Sequence, residues 1–239
     1  MASALSELRK SLLPPLRWLL LAFASGATNT GGFLGFRSFV SHVTGFYSLL
    51  GADFALKTLF EAFSVATVPF YFLLGCMFSA WLVDRRIQQG QKPLYSVPLG
   101  FAAILILVVA LGGHSEWFGE FGGPVDLFTQ YPALVMLCLA SGLHNAVVTA
   151  ASGTILRSSH LTGTTTDLGT GVVRWLITPA NSIERGLERR LVWMRAANVA
   201  FFVIGAFVGA LCFHHWQFLG FLMPAGVTVL VGIWVRLAH

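Results

Sequence analysis

Two five-residue stretches concentrate the polar side chains of this chain. Residues 41–45 read SHVTG and residues 159–163 read SHLTG. Each places a histidine two residues before a threonine and three before a glycine, at the end of an apolar run. A histidine pair in such surroundings, His42 and His160, can change charge near neutral pH or hydrogen-bond to nearby backbone. Thr44 and Thr162, or Ser41 and Ser159, can cap a helix that starts at the box. Gly45 and Gly163 permit a tight backbone and close approach. The second box continues through Thr164, Thr165 and Thr166 to Asp167. Hydroxyls at a helix break can line a polar path together with freed carbonyls, or bond back to their own helix.

The match extends beyond the boxes. HVTGFYSLLG from His42 aligns with HLTGTTTDLG from His160. Upstream, Asn29 pairs with Asn145 after a two-residue slip, each a polar residue in an apolar run. FLLGCMFSAWL from Phe72 aligns with FVIGAFVGALC from Phe202, and Pro98 with Pro224. Small residues on one helical face suit close helix packing, and the GxxxG of Gly205 and Gly209 has that spacing. Asn29 and Asn145 are expected to support the broken backbone or to contact a solute. His144, beside Asn145, adds a titratable group. Asp53 and Asp167 are the carboxylates of the box segments. One of them can serve as a coupling-ion or proton site; alternatively, Asp53 pairs with Lys57 and Asp167 with Arg174. Arg37 and Arg157 either attract anions or snorkel to an interface.

Composition supplies the surroundings. Of 239 residues, 56% are hydrophobic and only 10% charged, with 21 Phe and 7 Trp; mean hydropathy is +0.74. Soluble domains carry roughly 25% charged residues, so the chain is read as a lipid-bilayer protein. The net charge of +5 falls in short loops rather than in a nucleic-acid motif, and no nucleic-acid partner is expected. Cys76, Cys138 and Cys212 sit in apolar runs without metal or redox spacing. No cofactor, metal or catalytic residue is implied, and no HExxH, GxSxG or P-loop stretch occurs. An intramembrane enzyme would need a nucleophile and base in contact near the boxes; the expectation is a non-enzyme. The first apolar run lacks a cleavage site and is read as a retained helix rather than a signal peptide.

A crossing needs about 20 mostly apolar residues. Residues 16–36, 62–83, 94–111, 132–155, 196–213 and 218–235 qualify. The stretches 43–60 and 161–178 are short and polar, and are read as re-entrant half-helices, because irregular backbone at membrane depth must be buried in protein or line a cavity. The loop 84–92 (DRRIQQGQK) and the segment 174–195 are basic, whereas 112–130 holds Glu116, Glu120 and Asp126 with no Lys or Arg. Basic loops stay in the cytoplasm. Both termini are therefore expected inside, in a bacterial inner (plasma) membrane.

The expected fold is an all-α membrane protein: six transmembrane helices plus two re-entrant half-helices in an inverted 3+3 repeat. Residues 1–113 form the first repeat, 114–130 an external loop and 131–239 the second repeat. Three crossings per repeat invert the second against the first.

At FVSHVTGF (39–46), GLHNAVVT (142–149) and SSHLTGTTTDLG (158–169) the chain resembles the YoaK-like bacterial membrane proteins, a family of uncharacterised function. Their pattern has an early F-x-x-H/F-M-T-G-N box, then G-L-Q-N-A and T-x-x-L-T-G-T. This chain carries Phe46 at the family's Asn and His144 at its Gln. The resemblance covers nearly the whole chain and implies the membrane topology.

The expected function is a transporter or channel for a small polar or anionic solute. Its path lies between the boxes, lined by His42, Thr44, Gly45, His160, Thr162, Gly163, Thr164 and Asp167, with Asn29, Asn145, Asp53 and His144 in support. The alternative is a non-transporting membrane protein that binds a lipid or a protein partner. A homodimer would shield the half-helices.

Overall fold

The computed structural model describes residues 15–56, 59–124 and 127–238, which form helices and turns with no strand among them. In chain order the helices are α1 (Leu16–Phe36), α2 (Val43–Leu56), α3 (Leu59–Gln88), α4 (Ser96–His114), α5 (Leu127–Ala151), α6 (Leu161–Ile177), α7 (Ile183–Trp216) and α8 (Leu222–Leu237). A 3-10 turn, Gln217–Phe221, joins the last two.

Local chemistry sets the ends. Pro15 precedes α1, where a missing N–H costs nothing. Arg37 closes α1 in the left-handed region, φ 56°, with its N–H on the Phe33 carbonyl at 2.9 Å. Gln217, φ 48°, stops α7. Pro224 falls in the first turn of α8, where no intrahelical donor is needed.

Five segments among the described residues are long and apolar enough to cross a membrane: Leu16–Phe36, Thr67–Gln88, Ser96–His114, Phe128–Ala151 and Ile183–Leu237. The last has 55 residues, and as one helix it would span roughly 80 Å. The turn at Gln217 divides it into α7 and α8 instead. Neither α2 nor α6, at 14 and 17 residues, is among the segments with the length and hydropathy of a crossing. Their lengths of about 21 and 25 Å fall short of a hydrocarbon core of about 30 Å.

The structure moves one expected boundary by several turns. Much of the basic segment 174–195, read as a loop, is helical: α7 begins at Ile183 rather than at Ala196. Ser182 caps it, its hydroxyl accepting from the Arg185 N–H at 3.2 Å, and Glu184 sits in the first turn. Capping and charge placement extend a helix through residues too polar to register as a membrane span.

Two apolar clusters mark the two ends of the bundle. One gathers Phe36, Val68, Val109, Leu134, Phe213 and Ala225; the other gathers Trp18, Val83, Leu99, Val147, Met194 and Val235. Helices α1, α4 and α7 run from the Trp18 end to the Phe36 end, and α3, α5 and α8 run back.

Glycines bring the helices together in two matching pairs. On α1, a Cβ at Gly26 would lie 2.1 Å from the Phe202 carbonyl oxygen of α7, and one at Gly205 would lie 2.0 Å from that of Phe23. On α5, a Cβ at Gly142 would lie 2.1 Å from the Phe72 oxygen of α3, and one at Gly75 would lie 2.3 Å from that of Leu139. The Cys76 thiol also donates to the Gly142 carbonyl at 3.4 Å. Gly209 meets Ala27, so the GxxxG of α7 is internal packing. Helix α4 runs antiparallel to α8, with Gly113 on Phe218 of the 3-10 turn that precedes α8 and Gly232 of α8 on Leu99.

Gly26→Ala and Gly142→Ala are expected to cost about 1–3 kcal/mol each, because backbone atoms cannot swing aside as a side chain would. At Gly100 and Gly226 an added Cβ would meet nothing within 4 Å, and their alanine variants should be neutral or slightly stabilising, by up to about 1 kcal/mol. Thermal unfolding of the four variants in detergent tests the contrast; equal melting temperatures would sink the close-contact account.

Candidate functional site

Both boxes fold back beside the helix that precedes them. After α1 ends at Phe36 the chain reverses, and Ser41 returns to the level of Asn29, about 10 Å down the helix. The Asn29 side-chain oxygen accepts from the Ser41 N–H at 3.2 Å and from the Ser41 hydroxyl at 3.0 Å. In the second half the Asn145 side-chain oxygen accepts from the Ser159 N–H at 3.4 Å. A peptide group freed by the break is thus satisfied from a neighbouring helix, which an apolar surrounding requires.

The first turns of α2 and α6 are built alike. The Phe46 N–H donates to the His42 carbonyl at 3.2 Å, and the Thr164 N–H to the His160 carbonyl at 3.3 Å. His42 lies over Gly45 and His160 over Gly163: a Cβ at either glycine would stand 2.5 Å from the imidazole. This explains the repeated spacing of histidine and glycine. The expected hydroxyl cap is not formed at α6, whose N-cap is His160 without a side-chain hydrogen bond. The serine before it instead gives its N–H to Asn145. Thr164, Thr166 and Thr170 bond back to the carbonyls of His160, Thr162 and Thr166 at 2.9, 3.0 and 3.1 Å.

The charged groups sort differently from expectation. Asp167 pairs with Arg195 of α7, at 3.5 Å, rather than with Arg174, and Arg195 also donates to the Asp167 carbonyl at 3.2 Å. Arg174 faces Glu188 at 3.7 Å. The antiparallel contact of α6 with α7 brings these sequence-distant partners closer than a turn of α6 does. Arg157 donates to His160 Nδ1 at 3.3 Å, so in that contact Nδ1 accepts and a neutral ring carries its proton on Nε2. Arg37 instead reaches the Gly122 carbonyl at 3.4 Å. Asp53 lies on α2, but its side chain and Lys57 fall outside the described residues.

His144 is not at a box. It is buried between α5 and α8, with Nε2 3.1 Å from the Thr228 hydroxyl. That hydroxyl donates to the Pro224 carbonyl at 2.7 Å, so His144 Nε2–H is the donor between them. His42, Thr44, His160, Thr162 and Asp167 are exposed, while Thr164 is buried. An open cavity of about 530 Å³ at the Phe36 end is bordered by His114, Glu116, Glu120 and Trp216, and includes no box residue. Among the described residues no three His, Cys, Asp or Glu gather as a metal would need.

Three residues near the second box escaped the sequence: Ser158, Arg195 and Asn198. The Asn198 amide nitrogen donates to the Arg157 carbonyl at 3.0 Å, tying α7 to the break. The signal that could have found two of them was the repeat itself, in which Asn198 aligns with Val68 and Ser158 with Val40.

Compared with known families, residues 18–234 match the model of a protein of unknown function (DUF1275). The chain belongs to this family. Membership agrees with the resemblance carried by the two boxes and by GLHNAVVT. Comparison with curated proteins and with solved structures gave no match.

Asn29→Ala and Asn145→Ala each remove the acceptor for a peptide N–H at the break. Each should lower stability by about 1–3 kcal/mol, read as a drop in melting temperature in detergent. A variant as stable as the parent would show that the serine N–H does not depend on the amide.

Proposed function

We propose that this chain is a membrane transporter or channel for a small polar or anionic solute, with its path at the two H-[VL]-T-G boxes. In this reading α1, α3, α4, α5, α7 and α8 are six crossings. Helices α2 and α6 are re-entrant half-helices, and residues 1–113 and 131–239 form an inverted 3+3 repeat around the external segment 114–130. The observation that carries the reading is the pair of reversals held by Asn29 and Asn145. A chain that breaks and returns at membrane depth needs buried polar partners or water there, and transporters place their sites at such breaks. Further support comes from direction. Helices α1 and α5, α3 and α7, and α4 and α8 are matched by the sequence repeat, and each pair runs oppositely through the two end clusters.

The charge rule gives the sides. Arg85 and Arg86 end α3, and Arg185, Arg189 and Arg190 lie in the first turns of α7, all at the Trp18 end. That end is assigned to the cytoplasm of a bacterial inner membrane, with both termini. The first half-helix then opens outward and the second inward, with N-termini toward the centre, where their partial positive charge suits an anion or a polar group. No enzymatic step is part of this reading.

A second reading is favoured by the exposure of Thr162, Thr166 and Thr170 along α6. A polar helix face at membrane depth needs water or protein against it. A second copy of the chain, or another lipid or protein partner, would cover it without transport.

Single cysteines at Thr44 and Thr162, in a chain lacking Cys76, Cys138 and Cys212, separate the two. With a membrane-impermeant thiol reagent, Thr44→Cys should label in intact cells and Thr162→Cys in inverted vesicles. Absence of labelling from either side would overturn the transport reading in favour of a covered, non-transporting surface.

A further inference from the structure

The two breaks share a backbone design and differ in what they bury. At the first, Val40, Phe46 and Val68 are 1%, 5% and 2% exposed and belong to one apolar cluster. The repeat aligns these with Ser158, Thr164 and Asn198 at the second, which are 0%, 7% and 0% exposed. Burial is the same and polarity is reversed at all three positions.

Two of these polar groups are not fully satisfied within the chain. No described residue hydrogen-bonds the Asn198 side-chain oxygen or the Ser158 hydroxyl, and the Arg195 Nε is also buried without a partner. The amide cannot simply be turned over, because its nitrogen already donates to the Arg157 carbonyl. Ser158 lies in the bend between α5 and α6, not in a helix, so no carbonyl one helical turn back is at hand, as it is for Thr164. Buried polar groups left without partners are costly. The first break shows that valines fit the same backbone, so packing alone does not call for the polar set.

Resting on the transport reading, we propose that the second break alone is the solute site, and that it takes a small uncharged solute carrying both a hydrogen-bond donor and an acceptor, such as a primary amide. The site sits between the N-terminus of α6 and Asn198, one turn before Phe202, which meets Gly26 midway along α1. The free groups define the class. Asn198 offers an acceptor and so requires an N–H or O–H. Ser158, next in the chain to the Arg157 carbonyl that Asn198 holds, can give or take. Arg195 is balanced by Asp167, and Arg157 is engaged with His160. An anion would set its charge against the Asn198 oxygen, and a cation would lie close to two arginines. The apolar plug of Val40, Phe46 and Val68 closes the corresponding place in the first half.

Matched alkylating probes test this without the natural solute. Iodoacetamide is a neutral primary amide; iodoacetate is its anionic counterpart. In the cysteine-free background, Ser158→Cys, Val40→Cys and Thr162→Cys are reacted with each at mildly alkaline pH, where thiolate forms. Each variant is first shown to elute and melt like its parent. The iodoacetamide-to-iodoacetate rate ratio at Ser158→Cys should exceed that at Thr162→Cys by about tenfold or more, since a buried unpaired charge is strongly disfavoured. Val40→Cys should stay unreacted. Adding Asn198→Val should slow the reaction of Ser158→Cys with iodoacetamide.

An unreactive Ser158→Cys would overturn the site, and equal reaction at Val40→Cys would overturn its confinement to one half. A ratio no higher than at Thr162→Cys would overturn the uncharged class. Impermeant labelling of Thr44→Cys and Thr162→Cys reports separately on the transport reading, so failure of one is distinguishable from failure of the other.

Discussion

A chain that leaves a helix inside an apolar bundle must find partners for the peptide groups it frees, and the arrangement around both boxes follows from that constraint. A peptide N–H left orphaned in an apolar surrounding costs several kcal/mol. Asn29 and Asn145 supply the acceptors. Each lies one turn beyond a glycine, Gly26 or Gly142, whose missing side chain brings a neighbouring backbone into contact. The glycine fixes the level of the helix, and the asparagine then presents its oxygen at a defined depth. The returning chain can stop there, turn and start a new helix.

Among apolar helices in lipid, the gain from association comes from close packing and interhelical hydrogen bonds rather than from expelling water. The two halves use this in the same way, each handing its first helix to the other half. Helix α1 of the first half meets α7 of the second, and α5 of the second meets α3 of the first. Neither half therefore completes its glycine contacts alone. The helices that carry the asparagines, α1 and α5, are each held by a close backbone contact from the other aligned segment.

Much of this was legible in the residues. Hydropathy placed α1 at its bounds, and the repeated box located the starts of α2 and α6. What hydropathy missed was the beginning of α7, where Ser182 and Glu184 extend the helix through polar sequence. The pairing of Asp167 was missed for another reason. A nearby Arg174 satisfies helix spacing, but the antiparallel return of α7 brings Arg195 to the carboxylate. Chain reversal is a tertiary event that local spacing cannot encode. His144 drew notice as a titratable neighbour of Asn145, yet adjacent residues on a helix face different ways, and this one points to Thr228. Asn198 went unnoticed because one amide in a long apolar run barely changes the hydropathy, although the aligned Val68 marks it as a departure.

That departure bears on how an inverted repeat would work as a transporter. Where two halves exchange shapes across a pseudo-two-fold axis, a site opens first to one side and then to the other. The exchange can be symmetric in backbone, since both breaks are held by the same asparagine-to-serine bond and the same histidine-over-glycine turn. It cannot be symmetric in chemistry, because Val40, Phe46 and Val68 offer a solute no hydrogen bond where Ser158 and Asn198 do. On the proposed reading the halves divide the work. The second holds the solute, and the first supplies a plug of matching shape against which the bundle can rock. Selection for stability alone would favour the valines in both halves. Unsatisfied polar groups at full burial at one break, where the other buries valines on a matching backbone, are the pattern expected when stability is given up for binding.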